Sequence, residues 1–232
     1  MNHLPIYLPV GFVLTTFLTI WLFYKAANQS VTAVVILFLW LALQSAIGLS
    51  GFYTVTDTIP PRFILLLGPP LIFIVGLFTL PQGRKFLDSL QASYLTILHI
   101  IRVPVELVLF GLCMYKAIPT LMTFEGRNLD ILSGLSAPVI WYLAYRTKQM
   151  GRTGLLVWNL TCLALLFNIV VIAILSGPFR FQQFAFDQPN IGLLYFPFVW
   201  LPACVVPLVL LSHLAALRQL LKKSESKLVV AP

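Results

Sequence analysis

Charge is what this chain has least of. Only 9% of its 232 residues are Asp, Glu, Lys or Arg, while 59% are hydrophobic. A soluble domain carries about 25% charged residues. That shortage, with a mean hydropathy of +0.95, excludes an ordinary soluble domain. Cysteine is scarce as well. Cys113, Cys162 and Cys204 all fall inside apolar runs and lack CxxC spacing, so they read as small core residues rather than a disulfide or metal site. No P-loop, dinucleotide, zinc or serine-hydrolase pattern occurs. No Lys or Arg precedes the first apolar run, and Lys25 follows it. The run is long enough to span a bilayer, so it reads as a retained helix rather than a cleaved leader.

What is present is a series of long apolar runs. Seven stretches meet the length of a spanning helix: Ile6–Tyr24, Val31–Phe52, Phe63–Leu80, Leu90–Tyr115, Leu129–Tyr145, Leu155–Leu175 and Leu193–Leu217. The expected fold is an all-α integral membrane protein, a bundle of seven transmembrane helices. Residues 1–221 form that domain and 222–232 a short basic cytoplasmic tail. The net charge of +8 then has a topological cause, and no nucleic-acid partner is expected. Lys25, Arg84, Lys85, Arg146, Lys148, Arg152, Arg218, Lys222, Lys223 and Lys227 fall on one side, and Arg62, Lys116, Arg127 and Arg180 on the other. Ten against four is the asymmetry of the positive-inside rule. It places the N-terminus outside and the C-terminus in the cytoplasm, in a bacterial inner membrane or its equivalent.

Against that apolar background, "HIIRVPVE" stands out. His99, Arg102 and Glu106 are spaced i, i+3, i+7 and fall within about 60° of one helix face. Arg102 and Glu106 are within pairing distance at i, i+4. Pro104 lies between them, and it breaks the helical hydrogen bonding near Ile100. Intramembrane ionisable groups are functional by default. Depths counted at about 1.5 Å per residue put Glu106, Gln44, Asn168, Ser133 and Ser136 in the outer half. Asp130 lies at the mouth of the fifth predicted span. Together with Glu125, Arg127 and Asn128 these residues suggest a polar cavity opening outward. Asn128 or Asp130 as a helix cap, with Glu125 and Arg127 paired locally, is the plainer reading of that rim. Tyr142, Asn159 and His213 extend the polar set toward the cytoplasm. Helix breaks at Gly68-Pro69-Pro70 and at Pro197, Pro202 and Pro207 belong where backbone is buried or lines a cavity. The outer loop "SGPFRFQQFAFDQPN" reads as an interfacial aromatic belt, with a hairpin lid as the alternative.

The function expected from this pattern is transport or binding of a small solute. The solute would be anionic, drawn by Arg102, with His99 and Glu106 exchanging protons. The partners expected are the bilayer, a small-molecule substrate and other membrane proteins. A membrane-embedded enzyme or redox protein is the alternative, with haem ligation by His99 and His213 as its specific form. A receptor or a structural subunit of a membrane complex is the third class. The seventh predicted span has no lysine for retinal, and neither a DRY nor an NPxxY signature occurs.

Overall fold

Proline sets where the helices break. The computed structural model describes residues 4–228, and every regular element among them is helical. Two helices run long without an interior proline: α2 (Val31–Leu49) and α8 (Arg152–Leu175). α1 (Tyr7–Ala26) carries its proline in the first turn, where the missing N–H costs nothing. The others are interrupted. α3 (Ile64–Thr79) contains Pro69 and Pro70. α4 (Pro81–Ser89) starts on a proline. α5 (Ala92–Leu98) passes through a 3-10 turn at His99–Ile101 into α6 (Arg102–Met114), which contains Pro104. α7 (Ile131–Trp141) contains Pro138 and ends in a π turn at Tyr142–Arg146. A second π turn, Leu201–Val205, holds Pro202 and leads into α9 (Val206–Leu228).

A proline lacks the N–H that would bond the carbonyl four residues back. Two of the carbonyls so released take donors from α2. Pro69 releases the Leu65 carbonyl, and Gln44 Nε2 donates to it at 3.4 Å. Pro207 releases the Ala203 carbonyl, and Trp40 Nε1 donates to it at 2.8 Å. In lipid no water is available to do this, so side chains must. α2 is otherwise the most exposed long helix. Leu39, Leu43 and Leu49 face outward while only Leu41, Gln44 and Gly48 are buried. Such an apolar exterior suits hydrocarbon.

Five helices are long and apolar enough to cross a membrane: Tyr7–Ala26, Val31–Leu49, Ala92–Met114, Arg152–Leu175 and Leu201–Lys222. α3 and α4, bent by 93° at their junction, make a sixth if counted as one span. The seven expected from sequence are therefore reduced to five or six on length and composition. The physical reason lies in two short elements. α3 has 16 residues. The fifth predicted span becomes 11 α-helical residues plus a five-residue π turn. At about 1.5 Å per residue either reaches roughly 24 Å, short of the ~30 Å hydrocarbon core. α4 was not expected at all. It is an amphipathic helix that turns Phe86 and Leu87 inward and leaves Arg84 and Lys85 exposed.

The bundle has two distinct ends. At one, Asn28 Nδ2 donates to the Ser89 carbonyl at 2.7 Å and Gln91 Nε2 donates to Asn28 Oδ1 at 2.8 Å. Asp88 there accepts from Arg218 and Lys222. At the other end, Gly51 in the left-handed region (φ +73°) closes α2. The 176–191 segment folds back over the end of α8, with Gln183 N and Asn190 N donating to the Leu175 and Ser176 carbonyls. Phe179 is buried and stacks on Phe63 and Phe181 at 5.4 Å each, while Phe181, Phe184 and Phe186 stay exposed. The segment thus has one inward anchor and three outward rings, and no strand pairing among the described residues. α9 continues the backbone helix through residues 222–228 of the expected tail; its side chains from 223 onward and residues 229–232 lie outside the described residues.

Candidate functional site

His99, Arg102 and Glu106 share one buried face, each at most 2% exposed. The 3-10 turn that carries His99 ends where Arg102 begins α6. α7 comes close to this point because residue 134 is glycine. A Cβ there would lie 2.9 Å from Val103 N and 3.2 Å from Arg102 Cβ. Small residues at helix contacts allow this approach in membranes. The close approach sets Asp130, at the head of α7, against Arg102.

Arg102 is the hub. Its Nη1 donates to Asp130 Oδ1 at 2.7 Å and to the Cys162 carbonyl at 3.2 Å. Its Nη2 lies 3.0 Å from His213 Nε2. Arginine has only donors, so His213 Nε2 must accept, and the proton sits on Nδ1. That Nδ1 donates to Asn159 Oδ1 at 2.9 Å, and Asn159 Nδ2 donates to the Leu155 carbonyl at 2.9 Å. The chain of bonds fixes His213 as a neutral imidazole of one tautomer. A charged His213 would lose the acceptor and set two cations together.

Glu106 does not pair with Arg102. Its Oε1 accepts from Asn128 Nδ2 at 2.6 Å, and the ion pair forms with Asp130 instead. Asn128 also donates to the Met122 carbonyl at 3.0 Å and accepts from Asp130 N at 3.0 Å through Oδ1. Asn128 is thus the local turn-forming residue, and the Asp130 carboxylate is left for the guanidinium. Glu106 Oε2 has no hydrogen-bond partner among the described residues, nor does either ring nitrogen of His99 or the Ser133 hydroxyl. Glu106 and Asp130 line a cavity of about 70 Å³ whose other walls are apolar, among them Phe63, Met122 and Leu166. Phe63 is the ring on which Phe179 of the folded-back loop rests.

Several expected site residues lie elsewhere. Glu125 and Arg127 are exposed, and so is Asn168, whose Nδ2 donates to the Arg127 carbonyl at 2.9 Å. Gln44 is buried but serves α2, accepting from Tyr53 Oη at 2.5 Å. Burial pushes the Tyr53 hydroxyl above its usual pKa, and the bond to Gln44 opposes that shift. Tyr142 sits in a π turn and is 52% exposed. Height along a helix axis is readable from residue number, but rotation about it is not, and these residues point away from the centre. Sequence reasoning missed the Cys162 carbonyl, Gly134 and Trp158, whose ring meets His99 edge-on at 5.5 Å. Only Gly134 left a signal, in the small-residue run "SGLSA".

His99 and His213 do face each other. Their rings stack at 3.8 Å between centroids, 16° from parallel. This does not fit haem. Axial imidazoles point their nitrogens at one iron from opposite faces of the macrocycle. Two rings in face-to-face contact leave no room between them. Among the described residues no group of three or more His, Cys, Asp or Glu is placed to hold a metal ion.

A family model described as a domain of unknown function (DUF8737) matches residues 59–221. The chain belongs to this family. No curated protein matches it, and neither does any solved structure. The DUF8737 region includes every member of the polar network, from His99 to His213, and leaves out α1 and α2.

Proposed function

We propose that this DUF8737 protein is a proton-coupled transporter of a small anionic solute, with Glu106, Asp130 and Arg102 as the working groups. The observation that carries the reading is the shared cavity. Glu106, with one carboxyl oxygen unpartnered among the described residues, lines it together with Asp130, which holds the Arg102 guanidinium. An ionised Asp130 occupies Arg102. A proton on Asp130 removes that charge, and the guanidinium is then free to take a carboxylate or phosphate. Proton and anion enter together, and the pair re-forms when both leave. Glu106 keeps its bond from Asn128 in either protonation state, because Oε1 accepts throughout while Oε2 gains or loses the proton. His213, fixed as a neutral acceptor, holds Arg102 in place. A small cavity walled by Phe63, against which Phe179 packs, is what a closed state of such a protein needs.

The topology adopted with this reading is seven spans, N-terminus outside, in an inner membrane. It is supported by the ten-to-four division of basic residues. It is also supported by the 3.3 Å contact of Tyr145 Oη with Thr96 Oγ1. That contact brings the π turn after α7 against α5, so α7 runs toward the basic end of the bundle despite its shortness. The test uses proteoliposomes loaded with a pH-sensitive dye. Phosphate, glutamate and succinate serve as external probes. At least one is expected to acidify the lumen, about tenfold or more slower in Glu106→Gln and Asp130→Asn, as for loss of a positioned proton carrier. Uptake without proton movement, unchanged rates in both variants, or no acidification with any probe contradicts the proposal.

A further inference from the structure

A second, larger cavity lies away from the polar centre. It is a cleft of about 500 Å³ between the first half of α2, the second half of α3 and the beginning of α9, within the ~300–1,000 Å³ of ordinary ligand sites. Its form follows from the prolines. At the outer end Gln44 ties α2 to the Leu65 carbonyl released by Pro69. Below Pro69 and Pro70 the two helices part, and each rests on the π turn Leu201–Val205 that leads into α9. Ile36, Leu37, Trp40, Phe73 and Pro207 are among the walls. Ile36 and Phe73 are about half exposed, so the cleft opens sideways toward lipid.

Its two ends differ in chemistry. The deep end is dry. Trp40 turns its one polar atom to the Ala203 carbonyl and leaves only ring surface facing the cleft. The inner mouth is lined by Ser30, whose hydroxyl caps α2 by accepting from Ala33 N, by Thr32 and by Phe86 of α4. Next to Phe86 in the sequence, Arg84 and Lys85 stand exposed on α4. Arg84 is held by a 2.7 Å bond to the Thr79 carbonyl, the last residue of α3. Neither basic residue lines the cleft itself, but Arg84 is anchored two residues beyond Leu77 of its wall and Lys85 adjoins Phe86. An apolar slot with two basic side chains near its inner end is complementary to one amphiphile: an acyl chain carrying an anionic phosphate head.

We propose that this cleft binds one acyl chain of an anionic phospholipid from the cytoplasmic leaflet, with Arg84 and Lys85 taking the phosphate. α4 is then the lipid-reading element, which accounts for an amphipathic helix set at 93° to α3 at the level of the headgroups. The site is built partly from α2, outside the DUF8737 match, and does not depend on the transport reading.

The test reconstitutes the full chain in phosphatidylcholine nanodiscs containing a minor fraction of lipid brominated on its acyl chain. Trp40 quenching is obtained by subtracting the Trp40→Phe signal. Brominated phosphatidylglycerol is expected to quench Trp40 at lower mole fraction than brominated phosphatidylcholine. That preference should fall about fivefold for each basic residue removed in Arg84→Gln and Lys85→Gln. Ala33→Phe, which fills the mouth, should abolish it. Should Trp40→Phe not fold, the same preference is read from the unfolding midpoint of wild type and of Arg84→Gln/Lys85→Gln with each added lipid. Equal response to the two lipids, or a preference that survives loss of both basic residues, overturns the proposal.

Discussion

Among the described residues the molecule holds two arginine–aspartate pairs in unlike surroundings. Arg102–Asp130 is at 2.7 Å with side chains 3% and 6% exposed; Arg218–Asp88 is at 2.9 Å with side chains 26% and 25% exposed. The second has bidentate geometry and a further cation, Lys222 Nζ at 2.8 Å. By geometry alone it is the better pair. Environment reverses the ranking of consequence. At the rim, lipid headgroups and water share each charge, and breaking the pair costs little. At the centre Arg102 otherwise meets, among the described residues, only neutral acceptors, the Cys162 carbonyl and His213 Nε2, so each charged partner is the condition for the other. Under the proposed function such a pair is also a switch, because protonating one member changes what the other can bind.

The sharpest way to break this comparison is to remove each arginine. Arg102→Ala leaves Asp130 buried and unpaired and should destabilise the protein by about 3–5 kcal/mol, measured by thermal unfolding in detergent. Removing Asp130 as well should recover part of that loss. A cost no larger than that of Arg218→Ala would erase the distinction. Next in size is Gly134→Ala, which places a methyl group against Val103 N and Arg102 Cβ. Overpacking here should cost about 1–3 kcal/mol, while Gly76→Ala, with nothing within 4 Å of its Cβ, should cost almost nothing in the same assay. Trp40→Phe strands the Ala203 carbonyl and should lower stability by about 1 kcal/mol. That result would show that proline-released carbonyls carry weight even where no charge is involved.

The smallest effect belongs to the rim. Hydrogen bonds from Arg218 and then Lys222 hold Asp88 below its usual carboxylate pKa. A depressed folded-state pKa means stability that is present above the unfolded value and lost as pH falls through the folded one. The contribution of Asp88 should therefore be intact at neutral pH and fade only below about pH 4. Asp88→Asn should remove it at neutral pH, by less than about 1 kcal/mol, and the difference from wild type should close on acidification. Unfolding midpoints across that range check it.

How much of this was legible beforehand differs between the two regions. The apolar runs and the 99–102–106 face follow from periodicity, and proline marks where the helices break. Asn159 and His213 were placed in the inner polar set by their heights along the helices. The partner of Arg102 was not legible. Glu106 is four residues away on the same helix, whereas Asp130 is 28 residues away and reaches Arg102 only because Gly134 lets α7 approach. A long-range contact decided it, and sequence spacing carries no information about such a contact. Gln44, Tyr142 and Asn168 were misplaced for the related reason that rotation about a helix axis depends on its neighbours. α4 escaped notice because nine residues with two basic side chains look like a loop until their apolar face finds α9.

The most direct measurement compares the central and rim carboxylates in solute-driven proton uptake by dye-loaded proteoliposomes. Glu106→Gln keeps an oxygen to accept from Asn128 and so should fold, yet lose at least about tenfold in acidification rate. Asp88→Asn should match wild type. Equal rates for Glu106→Gln and wild type, or a loss confined to Asp88→Asn, would contradict the account.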